Sequence, residues 1–283
     1  MLRKEKAGVK DFYDNFGWIT DTDGNYRDTK SFADIRPVLS SYSHDTQMRV
    51  RRFLKPSGQY FLDAGSGPLS EPEYILYSAG YAYRVCLDLS ERALKEARDK
   101  VGSHGLYVMA DVTNLPFREG TFDAILVSHV LYHIPDDEQA NTVLELYSTL
   151  KDGGTCLIIY YWQSSFISKI GELLSKFFAS IALSCAFTRR PKSEAPDTFS
   201  KQISSLYFRP LDYGWLKRNL PKHWKTEIRS WRSVDIFFTR GLVADNLVGM
   251  VLLRIFYWLE DIFPHALGRL GRYPMIIIQK TAG

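Results

Sequence analysis

Three acids and one pair of glycines carry the chemistry that this sequence could perform. Asp63 closes the short apolar run Tyr60–Phe61–Leu62, and Gly65 and Gly67 follow at once in D-A-G-S-G-P-L-S. Glycines at a strand-to-helix turn let the backbone bend sharply and come close to a ligand. Ser70 is a favoured helix N-cap, and Glu71 and Glu73 suit a first turn. Asp88 ends a second apolar run about twenty residues further on, where a carboxylate can take both hydroxyls of a ribose. Asp111 follows a third, placed to reach an adenine amino group with the Val112 amide beside it. Any one of these acids is what an exposed turn often carries. Three of them beside a Gly-x-Gly loop point to a nucleotide-like ligand at the carboxyl ends of the strands.

The spacing also restricts that ligand. Ser70 stands where a dinucleotide fingerprint has its third glycine. A carboxylate at Asp63, just ahead of the glycines, would repel a pyrophosphate and favour a ligand with an ammonium and a sulfonium. Two histidines, His129 and His133, lie in V-S-H-V-L-Y-H-I after a fourth strand. Four residues apart on a helical turn, they would share a face. Either could take a proton from an attacking hydroxyl, and His129 is the first candidate, delivered by the fourth strand to the mouth of the site. Tyr13, His44, Tyr161 and His223 are weaker candidates.

The elements that must position these residues alternate. Strands are expected at Tyr60–Leu62, Arg84–Leu89, Leu106–Met109, Phe122–Ser128 and Thr155–Trp162, with helices at Glu71–Ala79, Glu91–Val101 and Asp136–Leu150 between them. Repeated units of this length imply a doubly wound parallel α/β sheet. A helix over Asp45–Leu54 precedes the sheet. After Trp162 the alternation stops. Phe166, Ile170, Leu173, Leu174, Phe177, Phe178 and Ile181 repeat at helical spacing. Arg189–Lys201 reads as a polar, proline-containing loop. A short helix at Asp212–Leu220, a strand at Thr226–Val234, an apolar helix at Val243–Ile262 and a last strand at Tyr273–Gln279 complete the chain. The expected organisation is a single domain over 1–283: an N-terminal cap segment at 1–45, a ligand-binding core at 46–162, a helical insertion or lid at 163–206, and the rest of the core at 207–283.

Composition bounds the function classes. The 283 residues suffice for one large α/β domain, and a net charge of +4 gives no argument for nucleic acid. The three cysteines, Cys86, Cys156 and Cys185, have neither metal-ligand nor disulfide-framework spacing. Buried thiols and the absence of an apolar leader at Met1–Lys6 give the expectation of a cytoplasmic protein. Asp21–Gly24 has part of a calcium-loop pattern, but no later glutamate completes it, so it reads as a turn and no metal site is expected. The helix after Trp162 can be read as a lid, a homodimer contact or a peripheral membrane contact.

The series F-L-D-A-G-S-G-P, C-L-D-L-S, A-D-V-T-N-L-P-F, F-D-A-I-L-V-S-H-V-L-Y-H-I and L-K-D-G-G-T resembles the class I S-adenosylmethionine (SAM)-dependent methyltransferases. It is most similar to the branch with quinone, sterol and natural-product sugar enzymes, and spans roughly Tyr60–Tyr161. The resemblance implies a Rossmann-like, seven-stranded mostly parallel sheet, with Tyr273–Gln279 as its antiparallel member. It implies SAM as cofactor, with Asp63, Gly65, Ser66 and Gly67 at the methionine end, Asp88 and Leu89 at the ribose, and Asp111 and Val112 at the adenine. Ser128 and His129 would face the sulfonium. Leu69 departs from the family, which often has a third glycine there. Tyr13, Phe16, Trp18, Tyr161 and Trp162 are expected to wall an apolar acceptor pocket. The activity expected is methylation of a small molecule, foremost at oxygen of a secondary-metabolite or sugar-like acceptor. The alternatives are C-methylation of a quinone or other lipid at a membrane surface, and a non-catalytic SAM-binding subunit.

Overall fold

The structure, a computed structural model, describes residues 2–185 and 206–281. Its centre is one sheet of seven strands: β1 (Gly58–Ala64), β2 (Tyr81–Asp88), β3 (Gly105–Met109), β4 (Phe122–Ser128), β5 (Leu150–Ile159), β6 (Lys225–Arg232) and β7 (Tyr273–Gln279). The order across the sheet is β3-β2-β1-β4-β5-β7-β6. The first five strands are parallel, and β7 runs antiparallel to both β5 and β6. This is the doubly wound sheet expected from the alternation, with its antiparallel member at Tyr273–Gln279. Strand order reverses between β1 and β4, so a crevice opens at their carboxyl ends.

Eleven helices surround the sheet: α1 (Lys4–Phe12), α2 (Arg27–Phe32), α3 (Ser40–Met48), α4 (Pro72–Leu76), α5 (Glu91–Val101), α6 (Asp136–Thr149), α7 (Phe166–Cys185), α8 (Tyr213–Asn219), α9 (Ile236–Leu242), α10 (Leu247–Ile262) and α11 (Pro264–Leu270), counted among the described residues. Local chemistry sets several of their ends. The Ser90 hydroxyl accepts from the Ala93 N–H to start α5, and Gly102, in the left-handed region, stops it. Asn246 caps α10 through the Val248 and Gly249 amides. One sheet face packs Leu62, Val85, Ile125, Ile158 and Ile276 against α6 and the Trp224 region, and the other packs Phe61, Leu126, Leu157 and Ile277.

Some expected elements differ in extent. The helix after the glycine loop shrinks from Glu71–Ala79 to Pro72–Leu76, and Glu71 rather than Ser70 precedes it. Pro72 fixes the first-turn φ, which moves the start one residue on. The helix expected at Asp45–Leu54 begins earlier, at Ser40, and tightens to a 3₁₀ turn over Arg49–Phe53. Arg189–Lys201 lies outside the described residues.

Leu69 adopts φ +54°, the left-handed conformation that a glycine would take without strain. Its side chain is fully buried against Cys86, Leu94 and Ala97. The Lys100 ammonium donates to the Pro68 and Leu69 carbonyls at 2.7 and 3.0 Å, holding the turn from outside. Left-handed backbone costs a non-glycine residue about 1–2 kcal/mol, whereas stripping a buried leucine costs about 2–5 kcal/mol. Packing therefore outweighs strain. L69G is expected to lose about 1–3 kcal/mol in thermal unfolding despite its freer backbone. A variant that melted above the native protein would show that the strain dominates.

Candidate active site

Asp63, Gly65, Ser66, Gly67, Asp88, Leu89, Asp111, Val112, Ser128, His129 and His133 all line one cavity at the carboxyl ends of β1, β2 and β4. The turn from β1 forms its floor. Gly65 and Gly67 have φ +76° and +55°. A Cβ at Gly65 would lie 2.3 Å from Val130 Cγ2, so only glycine fits there. The Gly67 amide donates to Asp88 Oδ2 at 2.9 Å and the Ser90 amide to Oδ1 at 2.8 Å. Burial pushes the Asp88 carboxyl up to about 6, against the pull of these two hydrogen bonds.

Asp63 is placed differently from the electrostatic expectation. Its Oδ2 is paired with the guanidinium of Arg84, a fully buried residue of β2 whose Nη1 also donates to the Tyr74 carbonyl at 2.5 Å. The charge at Asp63 is thus largely compensated, and its repulsion of a pyrophosphate is weaker than the bare sequence suggests. Asp111 is likewise engaged. Oδ1 accepts from the Thr113 amide at 3.0 Å, and Oδ2 is 2.6 Å from Lys6 Nζ. Lys6 also bridges to Glu138 at 2.7 Å, so α1 is tied down across this end of the cavity.

The two histidines do not share a helical face. His133 closes a 3₁₀ turn over Leu131–His133, whereas His129 precedes it with φ +62°. The His129 ring lies among Trp231, Tyr273 and Tyr132, with centroids 5.1, 5.8 and 6.2 Å away. Burial, with the Arg232 charge and His133 nearby, pushes its imidazole down to about 3. His133 Nδ1–H donates to the Tyr207 carbonyl at 2.8 Å, which leaves Nε2 as an acceptor 3.3 Å from the Tyr13 hydroxyl. Burial holds it down at about 4. Both rings therefore stay neutral at physiological pH, and both are weak bases.

A comparison with protein-family models matches residues 62–158 to a methyltransferase domain. The ubiquinone/menaquinone biosynthesis C-methyltransferase UbiE of Klebsiella pneumoniae is 30% identical over 139 residues, covering 42% of this chain and 55% of that protein. Residues 62–158 are a SAM-dependent methyltransferase domain of class I. The mouse eEF1A lysine and N-terminal methyltransferase is 27% identical over 57% of the chain and 25% of its own length. The chain thus spans about half the length of UbiE and a quarter of the mouse protein. Among solved structures, phosphoethanolamine N-methyltransferase 1 of Haemonchus contortus aligns with a TM-score of 0.57 at 11% identity, over 100% of this chain and 50% of that one. The [4+2]-cyclase SpnF aligns with a TM-score of 0.53 at 12% identity, over 100% and 98%. Both likenesses concern the fold. A fold that also serves a cyclase does not by itself name a reaction.

The cavity of this domain fits SAM. The glycine turn leaves its backbone open to the cavity, and the Asp88 oxygens keep lone pairs beyond the two amide bonds they accept. Leu89, Val112 and Ile134 line the same cavity near Asp111, as an aromatic base requires. Of the aromatics expected around an acceptor, Tyr13 and Trp18 line the cavity, stacked at 4.7 Å. Phe16, Tyr161 and Trp162 do not line it. Trp162 is buried in the core with its indole N–H on the Gly268 carbonyl at 2.8 Å, and Tyr161 packs on Phe208 and Tyr273. His44 lies apart from the cavity, with Nδ1 2.6 Å from Glu73.

Lys6, Asp28 and Tyr74 also line the cavity, although the sequence gives none of them a signal of its own. Asp28 is the most unusual. It is the second residue of α2, which the Thr20–Tyr26 bridge and the Tyr26 hydroxyl on Glu96 at 2.6 Å hold over the cavity. Its Oδ1 is buried without a hydrogen-bond partner. Burial pushes the carboxyl up to about 7, offset in part by a hydrogen bond from Tyr13.

Proposed function

We propose that this protein methylates a hydroxyl oxygen of a small-molecule acceptor held under its N-terminal cap. One observation carries the reading: a buried carboxylate oxygen of Asp28 that lacks a donor belongs to a residue lining the cavity beside the stacked Tyr13 and Trp18 rings. A hydroxyl acceptor sheds a proton as it attacks, so acceptors rather than donors suit it. Bound SAM supplies an electrophilic methyl group. Gly65, Ser66 and Gly67 would hold its methionine end, with Asp63 beneath them. Asp88 and Leu89 would hold the ribose, and Asp111 and Val112 the adenine. Ser128 and His129 would line the path between methyl group and acceptor, and His133 would fix Tyr13 at the cavity wall. Alignment and exclusion of water by α1 and α2 supply most of the catalysis.

The test is calorimetry followed by transfer of tritiated methyl from SAM to catechols, hydroquinones and hydroxylated sugars. Micromolar SAM binding, absent NAD binding and label in an ether product are expected. Tighter binding of NAD than of SAM would overturn the reading, and label found only on carbon would move it to the C-methylation chemistry for which UbiE is named.

A second reading, an acceptor presented at a lipid surface, is favoured by the outer faces of α7 and α10. Leu247, Val248, Val251, Ile255, Trp258 and Ile262 form an exposed row on α10, and Phe166, Ile170 and Leu173 one on α7. Arg254 and Lys169 stand exposed beside them. Apolar rows with aromatic and basic residues suit an interfacial helix. No helix among the described residues is long and apolar enough to cross a membrane. Co-sedimentation with phosphatidylglycerol vesicles, lost in V251E/W258E, would support this reading. A salt-independent dimer in sedimentation, with no vesicle binding, would replace it by a subunit contact.

A further inference from the structure

We propose that Asp28 is the group that receives the acceptor's proton, and that the donor group of the acceptor seats on its Oδ1. The inference rests on the methyl-transfer reading above and names the proton acceptor within it.

The geometry comes first. Asp28 lines the cavity from α2, beside Tyr13, whose ring stacks on Trp18. Its Oδ1 is buried with no partner, although a buried carboxylate oxygen normally has one. Its polar neighbour Tyr13 carries a single hydroxyl proton and faces two acceptors, Asp28 and His133 Nε2. Because His133 Nδ1 is committed to the Tyr207 carbonyl, its Nε2 has only a lone pair to offer. One phenol proton cannot serve both. The Asp28 carboxylate is therefore short of donors, and an acceptor hydroxyl entering the cavity supplies the missing one.

The surroundings decide between this group and the histidines. Tyr13, Tyr74 and Tyr132 face Asp28 from the segment after α1, from α4 and from the turn after β4, and the two lysines that line the same cavity are engaged elsewhere, Lys6 with Asp111 and Glu138 and Lys10 with Asp14. Burial without a compensating cation raises a carboxyl into the neutral range, here to about 7, where a general base works best. His129, beside Arg232, is driven the other way, to about 3. The step balances as follows. The acceptor's O–H bond breaks and its proton passes to Asp28 Oδ1. The oxygen lone pair forms the new O–C bond to the methyl carbon, and the electrons of the old C–S bond remain on sulfur. The cationic methyl donor and the carboxylate become a neutral thioether and a neutral carboxylic acid.

The test uses the full chain with S-adenosylhomocysteine or SAM, and hydroquinone and catechol as hydroxyl probes. Three results are expected. The Asp28 carboxyl ¹³C signal, assigned by its loss in D28N, titrates within about a pH unit of 7. D28N binds SAM within about threefold of the native protein but loses 10²–10⁴-fold in labelled methyl transfer. The native rate rises with pH through about 7, and that limb disappears in D28N and returns, displaced, in D28E. A titration midpoint below 5, or a tenfold loss of SAM affinity in D28N, overturns the proposal, the second by making Asp28 a cofactor ligand. So does native-like turnover in D28N with an unchanged pH profile. If the native protein labels neither probe, the hydroxyl-acceptor reading fails for that chemistry, while the carboxyl titration and SAM affinity still decide the role of Asp28.

Discussion

Replacing Glu260 with alanine is expected to destabilise the protein by about 3–5 kcal/mol, the cost of breaking one side of a buried ion pair. Glu260 is fully buried on the inner face of α10. Its Oε2 lies 2.7 Å from Arg49 Nη1. Its Oε1 accepts from the Tyr42 hydroxyl at 2.8 Å and the Ser233 amide at 2.6 Å. One carboxylate thus ties α3, α10 and the end of β6 together. Alanine would leave three neutral donors, the Tyr42 hydroxyl and the Ser233 amide and hydroxyl, without their acceptor, and the 2%-exposed Arg49 guanidinium with Asp261, 3.2 Å from its Nε, as its remaining acid. At about 2–4 °C per kcal/mol for a chain of this size, the melting point should fall by roughly 10 °C. Glu260→Gln should cost less, since it keeps an acceptor oxygen. The double variant R49M/E260M should melt above E260A, because it removes the stranded charge. Equal melting of E260A and the native protein would mean that Asp261 suffices to compensate Arg49. The effect should reach the cavity: Arg49 Nη1 also donates to the Trp231 carbonyl at 2.8 Å, and the Trp231 ring lies 5.1 Å from His129.

That ion pair shows what the sequence could and could not convey. The sheet was legible because its central strands are buried on both faces, so Ala124–Val127 in β4 and Met275–Ile278 in β7 read as unbroken apolar runs. Glu260 was not legible. Within L-V-G-M-V-L-L-R-I-F-Y-W-L-E-D-I the periodicity is swamped by apolar residues on both faces, and nothing marks the glutamate as the inward one. Its partners are supplied by α3 and by the end of β6, far away in sequence.

The candidate site divides in the same way. Asp63, Gly65, Gly67, Asp88 and Asp111 were legible because topology alone brings successive strand ends to one crevice. Their partners were not. Arg84 reads as an exposed strand residue yet is fully buried under Asp63, and Lys6 reads as part of a charged N-terminus yet reaches Asp111. Asp28 sits in a cap whose path depends on one bridge and a few aromatic contacts, so no periodic signal places it. The expected shared face of the two histidines differs because of local backbone. A helical turn was expected over His129–His133, but the left-handed φ at His129 sends its ring toward Trp231 and Tyr273, away from Tyr13.

Asp88 yields the second large expected effect, and it couples pH to cofactor binding. In an unfolded chain its carboxyl titrates as an ordinary aspartate, whereas in the ligand-free fold burial raises it to about 6. A carboxyl raised on folding stabilises the fold most when protonated. Its contribution is complete below the ordinary aspartate value and is lost as pH rises through about 6. Asp28, raised to about 7, acts with the same sign. Ligand-free protein should therefore gain stability from these two groups as pH falls from 8 to 5. Cofactor binding should run the other way, because the ionised Asp88 accepts hydrogen bonds from ribose hydroxyls and the protonated acid offers fewer lone pairs. The rise in melting temperature caused by SAM should thus be larger at pH 8 than at pH 5. D88N should weaken SAM by about 10- to 150-fold, corresponding to the 1.5–3 kcal/mol of hydrogen bonds to a charged group. It should also flatten the pH dependence of SAM affinity across pH 5–7. The Asn oxygen can still accept from the Gly67 amide, so the glycine turn should persist and the loss should report on the ribose contact. Calorimetry at a series of pH values decides the matter. SAM affinity within twofold of native in D88N, or a native affinity that rises as the solution is acidified, would place the ribose elsewhere in the cavity.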